Sequence, residues 1–175
     1  MKKPYRARWD DRTDAAANAR RELPQLAADY FARARKLLAE DPPPARLHGL
    51  RLDTKRLRYT LELFQPCYGP GLEVRLQALR RVQQLLGEVN DSVAAAALLP
   101  KGARGRPHLE NRAESRAQEF RRHWAEAMDA PGQADRWKAY LSRNARRSGR
   151  ATDASGATER TPGAARAGPQ RASAR

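Results

Sequence analysis

The sequence has no isoleucine, only four valines and few aromatic residues, and these absences argue against a β-sheet. Strands are built mainly from β-branched and aromatic side chains. Alanine and leucine, which favour helices, instead account for 33 and 19 of the 175 residues. The composition therefore predicts an all-α protein.

Cysteine is almost absent as well, since Cys67 is the only one in the chain. A single cysteine excludes an intrachain disulfide and a cysteine metal cluster. No run approaches the roughly 20 apolar residues of a membrane span. Residues 1–8 are basic but lack the apolar core of a signal peptide. We therefore expect a cytoplasmic protein with no membrane partner.

Positive charge is what the chain has in excess: 35 lysine and arginine residues stand against 20 acidic ones, a net charge of +15. Residues 145–175 hold seven arginines and two acidic residues, so they supply +5 and leave +10 for residues 1–144. The part expected to fold is therefore itself basic. Such an excess favours anionic partners, such as nucleic acid or polyphosphate.

Apolar residues that recur at three- and four-residue steps predict four helices. Segments containing proline or glycine separate them, and the helices span about 13–40, 45–65, 72–99 and 109–129. A short amphipathic segment with Trp137, Tyr140 and Leu141 follows. Helices joined by short connections predict an antiparallel four-helix bundle.

The ends of the chain are predicted to lie outside this bundle. Residues 1–12 have few apolar anchors, and we expect a flexible N-terminus there. Residues 13–141 form the predicted helical domain. Residues 142–175 are rich in arginine, alanine, glycine and serine, and have too few large apolar groups to offset the entropy of ordering. They are predicted to be a disordered basic tail.

The second predicted helix has two contrasting faces. A core stripe of Leu50, Leu57, Leu61 and Phe64 lies nearly opposite a sector about 100° wide that holds His48, Arg51, Lys55, Arg58 and Tyr59. Glu62 closes this sector and is expected to hold Arg58. Arginine forks bind phosphate oxygens and lysine adds a compact charge, so the sector suits an anionic ligand. An ordinary solvated face is the alternative.

On the third predicted helix, Arg80, Gln84, Gly87 and Asp91 share one side. A glycine inside a helix costs about 1 kcal/mol relative to alanine, and it is tolerated where a helix or a ligand approaches closely. We expect Asp91 to pair with an arginine or lysine of the second helix, with a solvated carboxylate as the alternative. On the fourth helix Arg112, Arg116 and His123 either extend the basic surface or form a solvated flank.

Signals of catalysis are missing from the sequence. It contains no phosphate-binding G-x-x-x-x-G-K-[ST] loop, no H-E-x-x-H motif and no nucleophile elbow. The three histidines, His48, His108 and His123, lack metal-ligand spacing. Phosphate chemistry normally needs carboxylates that hold Mg²⁺, and Asp53 and Glu62 point in different directions. We expect no enzymatic activity, no metal site and no cofactor.

Two motifs in this chain are similar to those of a known family. They are His48-x-x-Arg51-x-x-x-Lys55-Arg56-Leu57-Arg58-Tyr59-x-x-Glu62 and Leu79-Arg80-Arg81-x-Gln83-x-x-Leu86-Gly87-x-x-Asn90-Asp91. In their order and separation they resemble the CHAD family, the conserved-histidine α-helical domains, closely over about 45 residues and more loosely over residues 15–130. The resemblance implies a helical domain that binds inorganic polyphosphate through a basic surface, often at polyphosphate granules.

Carried over residue by residue, the resemblance implies a set of binding and supporting side chains. The polyphosphate-binding residues would be His48, Arg51, Lys55, Arg58 and Arg80. Tyr59, Glu62, Gln83 and Asp91 would support them. Many family members contain two such helical halves and this chain has one, so whether a homodimer rebuilds the two-half surface stays open.

RNA or DNA binding by the Arg-rich tail is the main alternative, because net charge does not distinguish one phosphate backbone from another. Nucleic-acid modules tend to add stacking aromatic residues or a base-reading helix, and only Tyr59 lies near the basic sector. A third possibility is an interaction scaffold whose tail docks an acidic protein. The resemblance favours polyphosphate.

Overall fold

The structure, a computed structural model, describes residues 4–146, and all regular structure in that range is helical. Five helices have more than ten residues and one, α3, is a single turn. The bounds are α1 Ala15–Ala39, α2 His48–Leu63, α3 Gln65–Tyr68, α4 Glu73–Leu98, α5 Arg106–His123 and α6 Gln133–Arg143. The prediction of an all-α protein is confirmed.

The predicted antiparallel four-helix bundle is not confirmed, because the described residues contain five long helices. Helix α4 packs against α5 and α2, α2 also packs against α1, and α1 packs against α6. The segment at 133–143, predicted to be a short amphipathic piece, is a full element of the core. Its Trp137 is buried and meets Phe31 of α1 edge-on, with ring centroids 5.4 Å apart.

The helix ends follow local chemistry. Helix α1 begins after Asp14, whose side chain accepts a hydrogen bond of 2.7 Å from the N–H of Ala17, which satisfies one of the free donors of the first turn. The helix continues through Pro24, which is buried. Helix α2 begins three residues later than predicted because Pro44–Leu47 form a 3₁₀ turn. The last turn of α5 widens into a π-helical turn at Trp124–Met128.

Both end segments make specific contacts where the structure describes them. Residues 4–12 lie within the segment predicted to be flexible, and they run along α1. The buried carboxylate of Glu22 accepts hydrogen bonds from the Tyr5 hydroxyl (2.7 Å) and the Arg8 N–H (2.9 Å). At the other end, the Arg146 N–H donates to the Cys67 carbonyl at 2.7 Å. The rest of the predicted disordered tail, residues 147–175, lies outside the described residues.

Arginine side chains join the helices to one another. Four of them each pair with two carboxylates, one of which lies on a neighbouring element. These bridges are Arg33 with Asp29 and Asp53, Arg80 with Glu62 and Glu73, Arg116 with Glu88 and Glu119, and Arg121 with Asp41 and Glu114. We call them the two-carboxylate bridges. They connect α1 with α2, α2 with α4, α4 with α5, and α5 with the segment that follows α1.

Candidate polyanion-binding groove

The packing of α2 against α4 forms an open groove on the basic side of α2. Buried Leu50, Leu57 and Leu61 turn the opposite side of α2 into the core. The two helices run antiparallel, so the start of α2 lies beside the end of α4. The groove between them, called the basic groove below, is lined by Arg51, Arg58, Arg80, Gln83, Gln84 and Gly87.

Arg58 is held in place from three sides. Its Nε donates to the Gln83 side-chain oxygen at 2.9 Å, and its terminal nitrogen donates to Glu62 at 2.6 Å. The guanidinium also lies over the Tyr59 ring, 4.3 Å from the centroid. The structure therefore brings Glu62, Gln83 and Tyr59, three of the four residues predicted to support the site, around a single arginine.

Arg80 lies at the same end of the groove and pairs with two carboxylates. Its guanidinium is 3.2 Å from the Glu62 oxygen that also holds Arg58, and 2.5 Å from Glu73. The hydrogen bond that Arg80 donates to Glu73, and to a lesser extent the one it donates to Glu62, raises the pKa of Arg80 above its ordinary value. Two arginines thus face two carboxylates here, and this end of the groove is close to electrically neutral.

The other end of the groove carries uncompensated positive charge. Among residues 4–146, neither Arg51 nor Lys55 takes part in an ion pair. The Arg51 Nε is buried without a hydrogen-bond partner there, and Lys55 contacts the Tyr59 ring at 5.5 Å. Gly87 of α4 faces Arg51: a Cβ added at Gly87 would lie 3.9 Å from Arg51 Nε and near no other described group. A methyl group at position 87 would therefore be in van der Waals contact with Arg51.

His48 lies at the start of α2 and, like Lys55, is not among the side chains that line the groove. It is exposed, and its Nδ1 lies 2.7 Å from the side-chain oxygen of Asn90 on α4. Because an amide oxygen only accepts hydrogen bonds, Nδ1 is the donor. Asn90 belongs to the second of the two motifs, and no role was predicted for it; its position three residues after Gly87 was the available signal.

The pairing predicted for Asp91 is not present in the structure. Asp91 is exposed and makes no ion pair with another described residue. Each helical residue is rotated by about 100° from the one before it, so Asn90 meets α2 and its neighbour Asp91 does not. Glu62 and Glu73 supply the carboxylates that hold the basic side chains, and Glu73 was not predicted.

The comparisons with known proteins identify the family. The CHAD-domain family model matches residues 2–100, which include both helices of the basic groove. The chain belongs to the CHAD family. Neither the search of curated proteins nor that of solved structures finds a match. The CHAD family is associated with polyphosphate, and the matched region ends before α5.

Helix α5 follows the matched CHAD region, and its basic residues do not line the groove. Arg112 is exposed on α5. Arg116 pairs with Glu88 at 3.2 Å and Glu119 at 2.7 Å, along the contact between α4 and α5. His123 is half-buried, and burial, followed by the charge of Arg81, lowers its pKa. The predicted extension of the basic surface is therefore separated from the groove by α4.

Two further properties bear on the chemistry of this CHAD domain. Within residues 4–146, no group of three or more histidine, cysteine, aspartate or glutamate side chains is placed to hold a metal ion. In the same range, every helix is too short or too polar to cross a bilayer.

Proposed function

We propose that the protein binds inorganic polyphosphate in the basic groove and catalyses no reaction on it. The observation that carries this proposal is the set of three guanidinium groups, from Arg51, Arg58 and Arg80, that line one open groove. Guanidinium forks bind phosphate oxygens in pairs. Membership of the CHAD family supports polyphosphate as the source of those phosphates.

The charge distribution suggests how the polymer is held. Arg51 and Lys55 have no carboxylate partner among the described residues, so they attract the phosphates most strongly. Arg58 and Arg80 are fixed by Glu62, Gln83 and Glu73 before any ligand arrives. Side chains that are already ordered lose little entropy on binding. The polymer therefore makes its first contacts at the His48 end and extends toward Arg80.

The hydrogen bonds accepted by the carboxylates of Glu62 and Glu73 support a binding role without catalysis. A phosphate-transferring site normally presents carboxylates to Mg²⁺. Glu62 and Glu73 instead accept hydrogen bonds from Arg58 and Arg80. Under this proposal the protein acts where polyphosphate accumulates, in the cytoplasm and at polyphosphate granules.

A competition titration tests the proposal. Labelled long-chain polyphosphate is bound to the full chain at about physiological salt and displaced by unlabelled polyphosphate, DNA or RNA. We expect polyphosphate to displace it preferentially. Combined Arg51→Ala, Lys55→Ala and Arg58→Ala substitutions should abolish tight binding, while circular dichroism shows the same helical content.

A control triple variant removes the same charge elsewhere. Lys36, Arg104 and Lys138 are exposed and make no ion pair within residues 4–146, so their replacement by alanine should leave most of the binding in place. If both triple variants bind equally well and nucleic acid competes equally, the groove is not the site. The alternative, RNA or DNA binding through the Arg-rich tail, would then be favoured.

A further inference from the structure

Folding places Trp9, which is distant from α2 in sequence, against the C-terminal end of that helix. Trp9 packs against Phe64, with ring centroids 5.1 Å apart, yet its side chain remains 48% exposed. The other tryptophans, Trp124 and Trp137, are 3% and 2% exposed. Trp9 is therefore a large aromatic ring that is held in a defined position while it faces solvent.

The backbone on either side of Trp9 is anchored to α1. Glu22 binds the Arg8 N–H at 2.9 Å, and the Asn18 side-chain oxygen binds the Asp10 N–H at 2.9 Å. These hydrogen bonds restrain the residues directly before and after Trp9. The ring is thus positioned before any partner arrives, which reduces the entropy lost on binding.

Positive charge without a carboxylate partner lies next to Trp9. Trp9, Arg6, Arg56 and Thr60 line one cleft between the N-terminal segment and α2. Neither Arg6 nor Arg56 makes an ion pair in the described part of the chain. The two carboxylates of the same cleft, Asp29 and Asp53, are both bound by Arg33. The cleft therefore presents two free guanidinium groups beside an exposed indole.

Tyr59 provides a second exposed ring on α2, about 60° around the helix from Arg56. Its side chain is 49% exposed, with the Arg58 guanidinium and the Lys55 ammonium close to the ring. At about 100° per residue, Arg56 lies between Tyr59 and Thr60 around the helix, and Thr60 belongs to the Trp9 cleft. We call the surface made by Trp9, Arg6, Arg56, Tyr59 and Lys55 the aromatic–cationic face.

We propose that the aromatic–cationic face binds single-stranded nucleic acid. Bases stack on Trp9 and Tyr59, and the phosphates between them lie on Arg56 and Lys55. Rings that accept bases beside cations that accept phosphates are the combination used by proteins that bind single strands. Polyphosphate has no bases and gains nothing from the rings. The Trp9 cleft lies outside the basic groove, whereas Tyr59 borders it through its contact with Arg58.

The test compares two oligonucleotides of equal charge on the full chain. One is a labelled oligothymidine of about 10 nucleotides, within the usual site size, and the other has the same backbone without bases. We expect oligothymidine to bind more tightly in fluorescence anisotropy. Trp9→Leu should lower that affinity about 5- to 100-fold and leave binding of the abasic strand and of polyphosphate unchanged. Tyr59→Leu should lower the preference for oligothymidine over the abasic strand by a similar factor, because only the bases stack on the ring.

Matched variants make the test specific. Leu63 is on the same helix and is 74% exposed, but it has no ring, so Leu63→Ala should not change oligothymidine binding. Arg51→Ala should weaken polyphosphate binding and leave the difference between the two oligonucleotides intact. If Trp9→Leu loses its helical signal, Tyr59→Leu decides the outcome, because that ring lies outside the core.

Three results would overturn the proposal. The first is equal affinity for oligothymidine and the abasic strand, which would mean that only phosphates are bound. The second is an unchanged preference for oligothymidine over the abasic strand in the Tyr59→Leu variant. The third is displacement of the oligonucleotide by thymidine monophosphate at a similar concentration, which would make a free nucleotide the ligand in place of a strand.

Discussion

At the scale of single residues, Gly87 lies beside Arg51, the groove arginine without a carboxylate partner among the described residues. Arg51 is the one groove arginine that has neither a carboxylate nor a described hydrogen-bond partner for its buried Nε. A Cβ at position 87 would lie in the space next to that atom. A glycine inside helix α4 lowers the stability of the helix. We expect this cost to be offset by the room that it leaves for a phosphate beside Arg51.

Replacement of Gly87 by alanine should change stability and polyphosphate affinity in opposite directions. We expect the free energy of unfolding to rise by up to about 1 kcal/mol, because alanine favours the helix, while polyphosphate affinity falls as the methyl group fills the space beside Arg51. Urea unfolding and polyphosphate titration measure the two effects. Gly49→Ala is the control, since its Cβ would meet nothing within 4 Å. Parent-like affinity of Gly87→Ala would show that anions do not approach Arg51 from this side.

Glu62 combines two opposing effects on the groove. Its carboxylate positions Arg58 and Arg80 through hydrogen bonds of 2.6 and 3.2 Å. The same charge repels an incoming phosphate. A glutamine at this position keeps an oxygen that accepts a hydrogen bond from Arg58 and removes the negative charge.

We therefore expect Glu62→Gln to bind polyphosphate about five times more tightly, which corresponds to about 1 kcal/mol for a partly screened charge. The affinity is measured by the same titration at constant salt. Glu126→Gln, on an exposed residue without an ion pair in the described region, controls for net charge. Weaker binding by Glu62→Gln would show that positioning of the arginines outweighs repulsion.

At the scale of elements, the N-terminal segment depends on one carboxylate of α1. Burial alone would raise the pKa of Glu22, but hydrogen bonds from Arg21, the Arg8 N–H and the Tyr5 hydroxyl lower it overall. A carboxyl whose pKa is lowered in the folded state stabilises the fold above its unfolded pKa. That contribution is lost as the pH falls through the folded pKa.

The acid dependence of stability tests this role. Glu22→Gln should cost about 1–3 kcal/mol at pH 7, because a buried charged acceptor is removed. The difference from the parent should shrink below pH 4.5, the ordinary value for this carboxyl, as the parent's own Glu22 takes up a proton. Urea unfolding of both proteins at pH 7 and pH 3 measures it. A difference that stays constant would show that the Glu22 charge does not hold the segment.

Elements with a regular apolar period were predictable, and features set by tertiary contact were not. The observed α1, α2 and α4 end within a few residues of the predicted spans, and Arg51 and Arg58 of the predicted basic sector line the groove. The ion pair expected of Asp91 is absent among the described residues, which agrees with the alternative of a solvated carboxylate, and its neighbour Asn90 contacts His48 of α2 instead. Trp9 carries no local signal: its position depends on contacts with α1 and Phe64.

At the scale of the whole molecule, the net charge of +15 attracts any polyanion. The salt dependence of the binding affinity therefore distinguishes direct phosphate contacts in the groove from non-specific electrostatic attraction. Each phosphate neutralised by a cation releases counterions, and the logarithm of affinity falls with the logarithm of salt by about 0.7 per contact for a single strand.

The triple variant of Arg51, Lys55 and Arg58 should therefore lower that slope by about 2 for polyphosphate, from three lost contacts. The control triple at Lys36, Arg104 and Lys138 should keep most of the parent slope. Titrations at a series of salt concentrations provide the measurement. Equal slopes for the two triple variants would place the contacts outside the groove.

The two-carboxylate bridges all use the same functional group, a guanidinium. A guanidinium reaches two carboxylates through its planar fork, which a lysine ammonium does not reproduce. Lysine takes part in no ion pair within residues 4–146. Acylating reagents that modify amines should therefore leave the connections between helices intact. Dicarbonyl reagents that condense with guanidinium groups should remove them, so the folded protein should be chemically resistant to the first class and sensitive to the second.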